Sequence, residues 1–326
     1  MSITAGPQAE SGIIRIPLRV DVSDVAPPGC RAVAMEVVAP AARRLDARSP
    51  LIFCYPGGGM SRRYFDLAAP GYSFAQYACE RGFVVVLADH PGVGGSDVPD
   101  DAWTLSPETV ALVNAAAVDR MLGLLESGSV AGLPPMRPEA VAAVAHSAGA
   151  HVVIHQQAAR SQFDGIAVLG WCGRGLPEYL DADERTLASR PGLLTSALIQ
   201  GAKRRHAEPL AVLPRGTSRL LIAATMAAEV HQALLAARAP LLAVLGYASM
   251  VPGSAGHAAA RIDVPVFIGV GERDIAVGHH AIPAEFPASS DVTLFVLANA
   301  GHNHNVEPGR ERLWSRIIGW AGILRA

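Results

Sequence analysis

Short apolar runs alternate with longer segments of helical periodicity along this chain, and the alternation restricts the folds that it can adopt. The runs at residues 51–55, 83–88 and 141–145 are almost wholly apolar, as in strands that are buried on both faces of a parallel sheet. Parallel neighbours need a long crossover between them, and the intervening segments are long enough to supply a helix. The sequence therefore predicts an α/β protein in which a mostly parallel sheet carries helices on both faces.

The remaining elements extend this pattern towards both ends of the chain. Further strands are predicted at residues 13–20, 32–38, 166–171, 264–270 and 292–297. Helices are predicted at residues 106–125, 148–160 and 311–324. Ser106 is a suitable N-cap for the first of these helices, and Glu108 follows it within the first turn.

One long segment, residues 173–262, interrupts the alternation. It is rich in alanine and leucine at helical spacing, and its only strand-like run lies near Leu220. A connection longer than about 12–15 residues inside a domain usually carries structure of its own or a function. We therefore expect a helical lid at residues 173–262, inserted into an α/β core that comprises residues 1–172 and 263–326.

A five-residue motif lies between a predicted strand and a predicted helix and reads Ala145-His146-Ser147-Ala148-Gly149. A serine in a tight strand–turn–helix junction is held with its hydroxyl exposed above the sheet, provided that small residues lie two positions away on either side. A serine at a helix start can also act merely as a cap. The context favours Ser147 as a nucleophile and the backbone N–H of Ala148 as a donor to a substrate oxygen.

A serine hydroxyl is a weak nucleophile and needs a base, which an acidic group orients. Asp274 follows the predicted strand at residues 264–270, and His302 follows the predicted strand at residues 292–297. Both side chains are expected in loops at the carboxyl ends of strands, on the same edge of the sheet as Ser147. We predict that His302 is the base and that Asp274 orients it.

Other residues compete for these positions. Glu272 lies two residues from Asp274 and is expected to point elsewhere, whereas His304 could replace His302 as the base. Gly301 suggests a tight turn that presents His302. The two histidines also form an HxH pair, but no third ligand stands at a diagnostic spacing, so no metal site is predicted. Acidic residues after the preceding strand are expected at the solvated edge of the lid: Glu178, Asp181 and Asp183.

A glycine-rich turn follows the strand predicted at residues 51–55 and reads Pro56-Gly57-Gly58-Gly59. Glycines allow a carbonyl group to approach the backbone N–H groups, and one such donor contributes about 2.7–4 kcal/mol to a transition state. We expect Gly58 or Gly59 to complete an oxyanion hole with Ala148. The turn is not a phosphate-binding loop, because no Gly-Lys-Ser/Thr follows it.

Taken in order, these motifs resemble the α/β-hydrolase superfamily over about residues 51–326, excluding the lid. The resemblance implies an eight-stranded, mostly parallel sheet and no cofactor. Two departures leave the subfamily open, because Pro56 stands where many members have histidine and Ala145 stands where the first glycine usually lies. The resemblance rests on residues 56–59, 89–96, 145–149, 271–274 and 301–302.

The expected reaction is hydrolysis of a carboxylic ester or thioester through an acyl-enzyme on Ser147. A serine at this position argues against the dehalogenase and epoxide-hydrolase branches of the superfamily, which use aspartate. The apolar lid suggests an apolar small-molecule acyl substrate. Two alternatives stay open: an acyltransferase or cyclising thioesterase with the same three residues, and a non-catalytic ligand-binding protein.

The overall composition narrows the classes of partner. The formal net charge is −2, so no nucleic-acid partner is expected. The longest apolar region, residues 220–250, contains Glu229, His231 and Arg238, and no membrane span is predicted. Residues 1–12 do not resemble a secretion signal, and the four cysteines are interpreted as reduced core thiols, which together predict a cytoplasmic protein. The sequence leaves a homodimer open.

Overall fold

A computed structural model of the chain describes residues 8–10, 12–41, 45–190, 194–212, 222 and 226–324. Its principal sheet is built from strands of three to nine residues. They are β1 (Gln8–Glu10), β2 (Ile13–Asp21), β3 (Ala32–Pro40), β4 (Leu51–Tyr55), β5 (Val84–Ala88), β6 (Val141–His146) and β7 (Gly165–Leu169). Two two-residue strands follow, β8 (Leu210–Ala211) and β9 (Leu241–Leu242), and then β10 (Val266–Gly271) and β11 (Val292–Leu297).

Nine of these strands form one sheet within the described residues, in the order β1-β2-β3-β5-β4-β6-β7-β10-β11. The five pairs from β5 to β11 are parallel, and the three pairs from β1 to β5 are antiparallel. This confirms the mostly parallel sheet. The short β1 adds a ninth strand to the eight that the family resemblance implies, by pairing with β2 at the edge of the sheet.

The helices cover both faces of the sheet. The α-helices of the described residues are α1 (Phe74–Cys79), α2 (Pro107–Glu126), α3 (Ala148–Arg160), α4 (Leu194–Arg205), α5 (Ala228–Ala236), α6 (Ala243–Ala248), α7 (Gly256–Ala259) and α8 (Arg310–Ala321). The three that the sequence predicts, α2, α3 and α8, lie within four residues of their expected bounds. Helix α2 begins as predicted, because the Ser106 hydroxyl accepts a hydrogen bond from the backbone N–H of Thr109 at 3.3 Å.

The core lies on both faces of the sheet, which explains why the central strands are apolar without alternation. In β4, Leu51, Phe53 and Tyr55 pack in one cluster, while Ile52 and Cys54 pack in the other. All five residues are fully buried. The four cysteines are buried and unpaired.

The described part of residues 173–262 contains the helices α4 to α7 and the small antiparallel pair β8–β9. The final helix of this segment, α7, packs with α3 in the main core, whereas the chain after α5 passes the glycine-rich turn. The strand suggested near Leu220 lies outside the described residues. Across the described helices, none combines the length and the hydropathy that a membrane span needs.

Candidate active site

Ser147 occupies a sharp turn between β6 and α3, with φ 54° and ψ −120°. L-amino acids rarely adopt this conformation, which is normally given to glycine at the start of a type II′ turn. The serine side chain makes no capping hydrogen bond to α3, so it does not serve as the helix cap. The turn instead presents the hydroxyl at the carboxyl edge of the sheet.

Close backbone packing holds this turn in place. The N–H of Ser147 donates to the carbonyl of Leu169 at 2.7 Å, so the pairing of β6 with β7 extends to the serine itself. A Cβ atom at Gly149 would overlap the carbonyl oxygen of Pro56 and lie 2.8 Å from that of Tyr55. Only glycine fits there, whereas Ala145 is accommodated as a fully buried residue of the core.

The structure brings Asp274 and His302 into contact. His302 Nδ1 lies 2.6 Å from Asp274 Oδ1, and the two side chains are 6% and 0% exposed. The backbone N–H groups of Gly271 and Ala276 also donate to this carboxylate, at 3.2 and 3.0 Å. Burial by itself raises the pKa of Asp274, but the nearby imidazoles of His302 and His304 outweigh it and hold the pKa well below its usual range.

The His302 loop is attached directly to the serine turn. His146, the residue before Ser147, lies with its Nε2 atom 2.8 Å from the carbonyl oxygen of His302, and the two rings are 4.5 Å apart between centroids. Burial, together with the neighbouring His302 and His304, lowers the pKa of His146 well below its usual range, so the ring is neutral and donates its Nε2–H. No hydrogen bond joins Ser147 to His302 in the described structure. Such bonds are often long in a ligand-free enzyme and tighten when substrate binds.

Three backbone N–H groups lie in the glycine-rich turn and at the start of α3 without a partner. Within the described residues, the N–H groups of Gly58, Gly59 and Ala148 donate to no other group. A Cβ atom at Gly58 would lie 3.6 Å from Ala148 Cβ, so the glycine-rich turn and the start of α3 face each other across a narrow gap. These three groups are therefore free to donate to a ligand.

A cavity of about 10 Å³ adjoins these donors, enough for about one water molecule. Apart from the glycine-rich turn and His90, its lining is apolar and comes mainly from residues 240–245 and from Met60 and Val93. Asn114 and the carbonyl of Pro56 hydrogen-bond the two ring nitrogens of His90, at 2.9 and 3.2 Å. Its ring is therefore a fixed part of the wall.

Two of the competing carboxylates have other partners. Glu272 is exposed and accepts a hydrogen bond from the backbone N–H of Asn299 at 2.7 Å, while Glu178 forms an exposed ion pair with Arg174. The competing histidine, His304, also contacts Asp274: its Nε2 atom lies 2.9 Å from Asp274 Oδ2, and its side chain is 1% exposed. Over the residues that the structure describes, no group of three or more histidine, cysteine or acidic side chains has the geometry of a metal site.

Two histidines have roles at the site that sequence reasoning missed. His146 bonds the backbone of the His302 loop, a contact that the sequence did not indicate. His304 was considered only as a base or a metal ligand, and it is a second partner of Asp274. The HxH spacing was the available signal for His304, whereas the local sequence carries no sign of the His146 bond.

Residues 51–312 match the model of the alpha/beta hydrolase family. An esterase from Thermogutta terrifontis is 17% identical, with 95% of this chain and 99% of the esterase covered at a TM-score of 0.58. A monoacylglycerol lipase from Paleococcus ferrophilus is 20% identical over 89% of this chain and 98% of its own, with a TM-score of 0.58. A proline iminopeptidase from Mycobacterium smegmatis is 16% identical over 95% and 98%, with a TM-score of 0.60.

No curated protein matches the chain significantly. At identities of 20% or less, the similarity to the solved structures establishes the fold alone. The esterase, the lipase and the iminopeptidase share that fold, and it accommodates more than one kind of scissile bond.

Proposed function

Because this chain belongs to the alpha/beta hydrolase family, we propose that it is a serine hydrolase that cleaves carboxylic esters or thioesters of apolar small molecules. One observation carries the proposal. Ser147 is held in a conformation that ordinary residues avoid, beside a loop in which Asp274 orients His302 through a 2.6 Å contact. Strain of this kind persists where the surrounding structure enforces it, and it is concentrated at functional sites.

The reaction follows from the positions of these groups. Ser147 Oγ attacks the substrate carbonyl carbon while His302 Nε2 accepts the hydroxyl proton, and Asp274 stabilises the resulting imidazolium through Nδ1–H. The negative oxygen accepts hydrogen bonds from Ala148 and Gly58 or Gly59. His302 then protonates the leaving alcohol or thiol as its bond to the carbonyl carbon breaks. Water then attacks the acyl-enzyme while His302 Nε2 accepts its proton, and His302 returns that proton to Ser147 Oγ as the acid is released.

The lining of the site supports an apolar acyl group. Leu241, Leu242 and Leu245 provide apolar surface next to the candidate oxyanion donors. Substrate pockets combine such surface with a few placed polar groups. A serine, rather than an aspartate, at the turn favours an acyl-enzyme over an alkyl-enzyme.

We further propose that residues 173–262 act as a lid over this site. The N–H of Ala239 donates to the carbonyl of Gly59 at 2.9 Å, and the N–H of Ser61 donates to the carbonyl of Ala237 at 2.7 Å. A Cβ atom at Gly58 would lie 2.5 Å from Leu241 Cδ1, so this leucine covers the glycine-rich turn. The cavity beside Leu241 holds about one water molecule, and we propose that this segment moves to admit an acyl chain.

A serine-directed fluorophosphonate tests the proposed nucleophile. We expect one adduct per chain, on Ser147, together with hydrolysis of p-nitrophenyl esters, and loss of both in Ser147→Ala. Ser161→Ala is the matched control, because Ser161 is also a serine with positive φ but lies at the far end of α3, about 20 Å away. An adduct on another serine, or labelling that survives in Ser147→Ala, would contradict the proposal.

A further inference from the structure

We propose that His304 is a positioning residue of the hydrolysis proposed above, on which this inference rests. Its Nε2–H donates to Asp274 Oδ2, fixes the carboxylate in the orientation that His302 requires, and reduces the negative charge that the carboxylate presents to His302. His304 touches neither the substrate carbonyl nor Ser147 in this scheme and acts only through Asp274.

The geometry assigns one oxygen of Asp274 to each histidine. His302 Nδ1 lies 2.6 Å from Oδ1, and His304 Nε2 lies 2.9 Å from Oδ2. Two backbone N–H groups complete the set, so the carboxylate has four donors and is held from both sides. The carboxylate is fully buried, so these four donors, rather than solvent, satisfy it in the described structure.

The hydrogen-bond pattern also assigns the proton on His304. The ring is 1% exposed, and its Nδ1 atom is buried without a hydrogen-bond partner in the described part of the chain. A proton on Nδ1 would be a buried donor with no acceptor, whereas a proton on Nε2 has the carboxylate of Asp274 as its acceptor. The Nε2–H tautomer is therefore the one that fits the site.

Four other titratable groups lie around Asp274 and His304: His146, Tyr64, Cys172 and Glu307. His146 from β6 packs edge-on against the His304 ring, with 5.5 Å between the ring centroids. The Tyr64 ring stacks on the His146 ring, with 4.8 Å between their centroids. Burial lowers the pKa of His146 and raises the pKa values of Tyr64 and of Cys172, which follows β7, so all three are neutral near pH 7. The Glu307 carboxylate accepts from the backbone N–H of Gly301 at 2.9 Å.

The hydrogen bond from His304 to Asp274 affects how strongly Asp274 stabilises the protonated form of His302. An N–H bond to Asp274 stabilises the ionised carboxylate and withdraws part of the charge that would otherwise stabilise the His302 imidazolium. Removal of the donor should leave more of that charge facing the imidazolium and move the acidic limb of the kcat/KM profile to higher pH.

The test compares His304→Gln with His304→Leu. Glutamine can place an amide N–H near the position of Nε2, whereas leucine fills the space without a donor. We expect His304→Gln to stay within about threefold of the wild type. His304→Leu should lose about a hundredfold in kcat, as expected for a misplaced catalytic group, with KM within about threefold. Its acidic limb should also rise by about one pH unit.

Three outcomes would overturn the inference: His304→Leu with wild-type kcat, His304→Leu with an unshifted acidic limb, or His304→Gln as impaired as His304→Leu. A purely structural role would lower the amount of folded protein without moving the pH profile. Thermal unfolding and fluorophosphonate titration of active sites therefore accompany the kinetics and correct each rate for the folded fraction.

A measurement on the wild-type chain separates failure of this inference from failure of the proposed function. ¹⁵N-histidine NMR at alkaline pH, where imidazoles are neutral, should identify His304 as the Nε2–H tautomer, with assignment by loss of its signals in His304→Gln. The Nδ1–H tautomer would overturn the inference even in an active hydrolase. Absence of ester cleavage and of labelling at Ser147 would instead overturn the proposed function, whichever tautomer is observed.

Discussion

Replacing Ser147 with glycine should stabilise the fold while it abolishes hydrolysis. Ser147 is held at φ 54°, ψ −120°, and a non-glycine residue in such a region costs about 1–3 kcal/mol. Glycine relieves that strain but gives back about 0.5–1 kcal/mol through the larger entropy of the unfolded chain. The expected net gain in the free energy of unfolding is therefore about 0–2.5 kcal/mol, with its centre at about 1 kcal/mol.

Urea unfolding followed by tryptophan fluorescence measures this change. Ser147→Ala keeps the strained backbone and should leave the free energy of unfolding within about 0.5 kcal/mol of the wild type, although it also lacks the nucleophile. Ser161→Gly is a second control, because Ser161 has φ 47° and ψ 52°, a less costly left-handed conformation at a helix end. It should gain less than Ser147→Gly and keep full activity.

The strain argument is wrong if Ser147→Gly is no more stable than Ser147→Ala. A gain at Ser161 equal to the gain at Ser147 would also contradict it, because the two positions would then share only the generic effect of introducing glycine.

Three further predictions follow from the contacts of the site. Asp274→Asn should lower kcat for p-nitrophenyl esters by about 10³–10⁴, because an amide favours the wrong imidazole tautomer; a loss below tenfold would exclude Asp274 as the orienting group. Gly149→Ala should lower the urea midpoint markedly, because its Cβ overlaps a backbone carbonyl, whereas Gly123→Ala, at an exposed position of α2 where a Cβ meets no atom within 4 Å, should gain about 0.5–1 kcal/mol. Burial holds the pKa values of His146 and His151 well below the usual range, so both stay neutral when folded but bind protons when unfolded below about pH 6.5. The free energy of unfolding should fall by about 3 kcal/mol between pH 7.5 and 5.5 from these two rings together, and a pH-independent urea midpoint over that range would refute it.

Local patterns were sufficient for the fold. A strand buried on both faces must be apolar throughout, so β4 could be located from its residues with its observed bounds. The limits of α2 and α8 differ from the predicted ones by only a few residues, since capping and fraying are decided by a few local contacts. The short β1 could not be anticipated, because its place in the sheet depends on pairing with β2 rather than on a pattern of its own.

Local sequence patterns predicted only part of the candidate site. A serine between small residues at a strand–helix junction is a local signal, and it located the strained turn at Ser147. The choice between His302 and His304 was not local, because both histidines follow the same strand and differ only in which atom of Asp274 they reach. The same holds for His146, whose partner is 156 residues away in the chain.

The sequence by itself determined the mostly parallel sheet, the turn that strains Ser147 and the order in which serine, acid and histidine follow one another. These features depend on the hydrophobic periodicity and the size of residues that are close together in the chain. Only the tertiary structure decided that Asp274 lies between two imidazoles, that His146 holds the backbone of the His302 loop, and that residues 237–242 run against the glycine-rich turn. Those contacts join residues 28 or more positions apart, and they exist because the order of the strands in the sheet, rather than their order in the chain, sets which loops meet.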